Sequence, residues 1–332
     1  MTTLVMFLLT SLFVVTATHG LRDDLDTTRL WGAVRLALCV VVLLSVAQAA
    51  TGHLGSEALF NPFGAYQFQH QYNPHLEFVS VPRAHGFFLE PSYDAFVIGT
   101  LTVALLCRRD HFRSTLALAL LGMAACQSAT GLILILGIAF LIAIRSRPRI
   151  SIPVTFGVAL LLLSFGNYLI SRLESIGNVG SSGNYRLIAP LQVLGDVLTA
   201  HPLGMPFGSI YEIISTYGLQ MDGVEQTISL DNGIYVIVYY FGWIGLVAIG
   251  TLGVWALVSV FRRLRISEDR EYDWIVPLWL FAALLFSGGI MAPEYGIMTW
   301  LIIVSFVESR RIRKGRINAA PTSPQYRHRY IR

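Results

Sequence analysis

Most residues of this chain that could do chemistry fall in two polar stretches. The larger, 171–231, holds Gly180-Ser181-Ser182-Gly183-Asn184-Tyr185-Arg186 and then His201-Pro202-Leu203-Gly204-Met205-Pro206-Phe207-Gly208. The smaller reads Arg83-Ala84-His85-Gly86-Phe87-Phe88-Leu89-Glu90-Pro91-Ser92-Tyr93-Asp94. In the larger, Asn184 suits the cap of a helix beginning at Tyr185, and Leu187, Leu191, Leu194 and Leu198 carry its three- and four-residue spacing to about Ala200. Pro190 would kink that helix or delay its start, and His201-Pro202 would end it. Arg186 then lies in the first turn, where free backbone N–H groups after a glycine-rich run favour an anion, and its planar fork matches phosphate oxygens. The plainer alternative pairs Arg186 with a nearby carboxylate such as Glu174.

In the smaller stretch Pro91 suits the first turn of a helix, which sets Glu90 or Ser92 near its positive end. A carboxylate held there could pair with an arginine, orient an acceptor hydroxyl as a base, or simply start the helix. His201 reads as a helix-ending residue that positions the Pro-Leu-Gly turn.

Apolar runs must hold these loops. The chain is 54% hydrophobic and only 13% charged, and a bilayer is the solvent that accounts for several separate runs of that kind. The runs fall at 3–18, 36–50, 93–107, 116–126, 132–144, 153–170, 233–261, 274–291 and 295–307. The expectation is an all-α polytopic membrane protein of about nine transmembrane segments, several of them short of the roughly 20 residues that a crossing needs. One helical domain would cover 1–309, including outer loops at 52–92 and 171–231, and a basic tail would follow at 310–332. The run at 3–18 lacks a preceding Lys or Arg, so a membrane helix is expected there rather than a secretory leader. Cys39, Cys107 and Cys126 lie in or beside apolar runs with no paired spacing and read as packing residues.

Arginines cluster at 22–35, 108–113, 145–149, 262–270 and from 310 onward, which makes that side cytoplasmic. Arg83, Arg172 and Arg186 remain for the other face, where topology gives them no reason to be. The segment 115–144 has basic flanks at both ends, so it must enter and return, with its turn at Gln127-Ser128-Ala129-Thr130-Gly131 set at depth against protein or a wet cavity. A hairpin of short helices under a thinned membrane is the alternative. The run 233–261 is over-long for one crossing. Its tyrosines, Tyr235, Tyr239 and Tyr240, suit an interfacial belt, and the spanning part is expected to start near Trp243. The basic tail reads as an anchor to anionic headgroups rather than a nucleic-acid site.

Other chemistries find little support. Asp24-Leu25-Asp26 resembles the metal pair of nucleotide-sugar transferases but lacks a βαβ setting, and Arg22 and Arg29 make it an ordinary charged loop. His53, His70, His75 and His85 show no zinc spacing. The apolar runs are nearly free of charge, which argues against a polysaccharide or lipid transporter, since a carrier places charges at mid-depth. A sensor or scaffold would tolerate any change at Arg83 and Arg186.

Several short motifs occur in a set order: Arg83-x-x-Gly86-x-Phe88-x-Glu90-Pro91, Ser128-x-Thr130-Gly131, Arg186, His201-Pro202-Leu203-Gly204, Asp231-Asn232-Gly233-x-Tyr235 and Gly242-x-x-Gly245-Leu246. That order resembles the bacterial O-antigen and exopolysaccharide polymerases of the Wzy type, and more distantly the O-antigen ligases of the same superfamily. The resemblance implies a GT-C-like fold in the bacterial inner membrane. It implies a metal-independent, inverting glycosyl transfer at the periplasmic face that needs no cofactor. The donor would be a glycan on undecaprenyl diphosphate, and the acceptor a hydroxyl of a second lipid-linked repeat unit. A chain-length regulator and a flippase of the same pathway would be partners. On this reading Arg186 holds the donor diphosphate, Arg83 contacts the second partner or the same phosphates, and Arg172, Asn232 and Tyr235 join the substrate-binding set. The base is left among Asp231, His201 and Glu90. Ligases carry a histidine before the asparagine where this chain has Asp231-Asn232, which favours polymerase; the ligase alternative would transfer glycan to lipid A-core.

Overall fold

With no water in a bilayer core, backbone groups must be paired within their own segment, and each of the nine apolar runs contributes a described helix. The computed structural model describes residues 2–20, 27–53, 83–88, 90–108, 111–145, 148–219, 230, 232–265, 273–285, 290 and 293–318. Among these there are twelve helices and no strand. They are α1 (Thr2–Gly20), α2 (Thr27–His53), α3 (Pro91–Arg108), α4 (Phe112–Cys126), α5 (Ala129–Arg145), α6 (Pro148–Ser175), α7 (Ser182–Leu187), α8 (Ala189–Ala200), α9 (Ile210–Tyr217), α10 (Gly233–Arg265), α11 (Ile275–Ala283) and α12 (Pro293–Asn318).

The bundle is built around α3, every residue of which from Asp94 to Cys107 is buried. α2, α4, α5, α11 and α12 surround it. Polar groups on α3 are met from those neighbours. Trp279 Nε1 donates to Thr100 Oγ1 at 3.0 Å, and Ser305 Oγ donates to the Ala104 carbonyl at 2.6 Å. At the arginine-rich end Arg108 pairs with Glu308, and the Trp31 indole donates to the same carboxylate at 2.7 Å. One carboxylate thus ties α2, α3 and α12 together.

The perimeter is of opposite character. Phe156, Leu163, Val247 and Val254 are 70%, 85%, 65% and 61% exposed, an apolar surface that water would not tolerate and lipid does. Among the described residues three helices are long and apolar enough to cross a membrane: Arg29–Thr51, Ile152–Ser175 and Gly233–Leu264. Phe112–Cys126 and Ala129–Ala143 are shorter apolar helices, in keeping with an in-and-out hairpin. Of the run expected at 274–291, the described helix covers Ile275–Ala283, and the Leu284 carbonyl just beyond accepts the Gly233 N–H at 2.7 Å, joining the end of α11 to the start of α10. The basic tail begins as helix, because α12 continues to Asn318.

Candidate functional site

The smaller loop hangs from α2 and from the α4–α5 turn. Ala84 N–H donates to the Ala125 carbonyl at 3.1 Å. Gln48, 1% exposed near the end of α2, accepts from His85 N–H at 3.1 Å and Gly86 N–H at 2.8 Å, and donates to the Gly86 carbonyl at 2.9 Å. The His85 ring closes the turn on the Phe88 carbonyl at 2.6 Å. Beneath lies Asp94, fully buried, with Oδ2 accepting from Ser45 at 2.6 Å and Cys126 at 3.1 Å. Arg83 is itself only 8% exposed. The α4–α5 turn is buried as expected, Gln127 and Ser128 at 8% and 4%, and Tyr168 of α6 donates to the Gln127 carbonyl at 2.6 Å. It therefore faces protein.

The larger stretch is more ordered than a loop. The Ser181 hydroxyl, not Asn184, caps the first helix by accepting the Asn184 N–H at 3.1 Å, while the Asn184 amide donates to the Ile176 carbonyl at 3.1 Å. The single helix expected over 185–200 is two, α7 and α8, because Pro190, without an N–H, is best placed in the opening turn of a helix. Arg186 therefore lies in the last turn of a short helix and not the first turn of a long one.

The top of α10 holds the junction of α7 and α8. Asn232 caps α10, its Oδ1 accepting the Ile234 N–H at 3.0 Å, and its amide donates to the Arg186 carbonyl at 3.0 Å. Tyr235 donates to the Leu187 carbonyl and Tyr239 to the Pro190 carbonyl, both at 2.7 Å. These tyrosines are 9%, 0% and, for Tyr240, 8% exposed, so they face inward and do not form an interfacial belt. So held, Arg186 Nη2 stands 3.6 Å from Glu90 Oε2, which also accepts from Ser92 Oγ at 2.9 Å. Both side chains of the pair are 24% exposed. A pair so placed contributes about 0–1 kcal/mol, too little to draw two loops together. The hydrogen bonds from α10, at about 1 kcal/mol each, hold the segment that carries Arg186.

The His201-Pro202-Leu203-Gly204 segment has its own partner. α10 is broken at Gly242 (φ 56°, ψ −135°), and the segment fills the break: Trp243 N–H donates to the Pro202 carbonyl at 3.0 Å and Met205 N–H to the Tyr239 carbonyl at 2.8 Å. The two backbones meet at glycines. A Cβ on Gly204 would lie 2.2 Å from the Tyr240 oxygen, and one on Gly242 would lie 2.2 Å from the Pro202 oxygen. The break also fits a span beginning near Trp243.

Of the residues singled out from sequence, Arg186 and Glu90 are brought together, and Arg186 is not paired with Glu174. Arg83 is buried beside the α4–α5 turn. Arg172 lies in the last turn of α6, its guanidinium 5.6 Å above the Tyr168 ring, and Tyr168 links it to that same turn. Asn232 and Tyr235 donate to the consecutive carbonyls of Arg186 and Leu187. His201 is the exposed C-cap of α8. Asp231, His70, His75 and the 24–26 pair lie outside the described residues. Among the described residues no group of three or more His, Cys, Asp and Glu could hold a metal ion. Sequence reasoning missed Gln48 and Tyr168, and gave Tyr239 to a belt rather than to the Pro190 carbonyl. Gln48 carried a signal, as an amide late in an apolar run and one turn after Ser45.

The model of the WcaD colanic acid polymerase family matches residues 1–307. A protein of Escherichia coli (strain K12), provisionally named a colanic acid polymerase, is 32% identical over 142 residues, which are 42% of this chain and 33% of that protein. The chain thus matches about a third of that relative's length. No solved structure matches.

Proposed function

The chain belongs to the WcaD colanic acid polymerase family, and from that premise we propose that it joins lipid-linked oligosaccharide repeat units into an exopolysaccharide. The donor is a glycan on undecaprenyl diphosphate and the acceptor a sugar hydroxyl on a second such unit. The reaction takes place at the periplasmic face of the inner membrane, inverts the anomeric centre and uses no metal. A GT-C-like bundle of about nine spans forms one domain over 1–309 and carries the loops 52–92 and 171–231 on that face, with a basic cytoplasmic tail at 310–332. A flippase supplies the units and a chain-length regulator sets the product length.

The observation that carries this reading is the Arg186–Glu90 pair, in which the two polar stretches meet at a quarter-exposed cation and carboxylate. Diphosphate leaves as an anion, so its departure calls for charge stabilisation, which a guanidinium supplies. The acceptor hydroxyl must lose a proton, which a carboxylate beside that cation can take. When the diphosphate takes Arg186, Glu90 is released toward the acceptor. Arg83 and Arg172 add positive charge around the α4–α5 turn, and Asn232 and Tyr235 fix the peptide that carries Arg186. Asp231 and His201 are the remaining candidates for the base.

The test is Arg186→Ala and Arg186→Lys in the native host, with the surface polysaccharide sized on gels. Arg186→Ala is expected to leave single-repeat products at unchanged protein level, a loss of about 10²–10³-fold in chain extension. Lysine restores little, because it is a point charge without the fork. Unchanged long chains would defeat the assignment, and long carrier-bound chains that fail to reach lipid A would indicate a ligase.

A further inference from the structure

We propose that Gln48, on α2, is the positioning residue for Arg83 and Glu90 in this reaction; the inference rests on the function proposed above. An amide in the last turns of an apolar membrane helix is costly to bury unless its polar atoms are paired. Here three bonds pair it, all to the backbone of two consecutive residues, His85 and Gly86. The two N–H donors assign Oε1 and leave Nε2 for the Gly86 carbonyl, so the amide has one orientation.

The loop has few other places to sit. Gly86 is in the left-handed region at φ 59°, and a Cβ there would meet Asp94 Oδ1 at 2.7 Å. Asp94 is in turn held by Ser45, one helical turn before Gln48 on the same face of α2. Ser45 and Gln48 therefore grip the first turn of α3 and the loop leading into it. Arg83 is three residues before Gly86 and Glu90 four after, so one amide sets the chain between both charged groups without touching substrate.

Gln48→Met preserves volume and apolarity for insertion and removes all three bonds. The protein is expected to reach the membrane at normal level and to lose chain extension by about 10²-fold, the cost of a misplacement near 1 Å. The triple variant Gln48→Met/Arg83→Ala/Glu90→Gln is expected to be no worse than Arg83→Ala/Glu90→Gln, because a residue that acts only through those two groups adds nothing once both are gone. Multiplying losses, or normal chain length in Gln48→Met, would overturn the proposal. If Gln48→Met fails to accumulate, Gln48→Asn keeps the amide but withdraws it by one methylene. Shortened chains are then expected, and full-length chains would overturn the proposal. Arg186→Ala run in parallel separates the two ideas. Long chains there defeat the polymerase reading, whereas long chains only in the Gln48 variants defeat this one.

Discussion

The two arginine-bearing segments are held in opposite ways. Arg83 is 8% exposed in a loop whose backbone is bonded to a buried amide of α2 and to the end of α4. The Arg186 side chain is 24% exposed, at the junction of two short helices whose carbonyls accept from the top of α10. One guanidinium is embedded; the other is presented on a hydrogen-bonded backbone and paired with the Glu90 carboxylate. Fixing the peptide while leaving the side chain partly wet suits a group that must grip and release.

Breaking that pair should have the largest effect. In Glu90→Gln, chain extension is expected to fall by about 10²–10⁴-fold, the usual contribution of a general base. Binding of inorganic pyrophosphate to the purified protein is expected to hold or tighten, because Arg186 loses its competitor. Normal extension in that variant would show the carboxylate to be a helix-start residue only. Next comes Gly242→Ala, which puts a methyl group 2.2 Å from the Pro202 oxygen in a backbone region reserved for glycine. A cost of about 3 kcal/mol is expected, read as a lower Tm in detergent and less protein in the membrane. The smallest effect belongs to Tyr239→Phe, which removes the hydroxyl's bond to the Pro190 carbonyl, a group inside α8, at a cost of about 1 kcal/mol. It should loosen the Arg186 segment and shorten chains modestly while leaving the Arg83 loop alone. Protease nicking near residue 188, compared with nicking near residue 86, would measure that difference.

The helical character and the buried turn at 127–131 were legible in the sequence because hydropathy and arginine placement are written along the chain itself. Arg186 and Glu90 could be singled out from residue type and local setting. Their meeting could not be, because it depends on Tyr235 and Tyr239 turning inward, and a tyrosine near the end of an apolar run suits an interface or a buried hydrogen bond equally well. Ser181 displaced Asn184 as cap for a similar reason, since both are good caps and the choice falls to the Asn184 amide, which finds the Ile176 carbonyl. The glycines at 204 and 242 were visible as motifs, but that each is the other's clearance is a fact of tertiary contact.

The Tyr168 hydroxyl that reaches the Gln127 carbonyl is also a depth gauge. α6 runs seven residues beyond Tyr168 to Ser175, about 10 Å at the rise of an α-helix. The α4–α5 turn, and Arg83 beside it, therefore sit roughly that far below the lip of α6. A headgroup bound against that turn would have to descend from the plane of its neighbours, shedding water on the way.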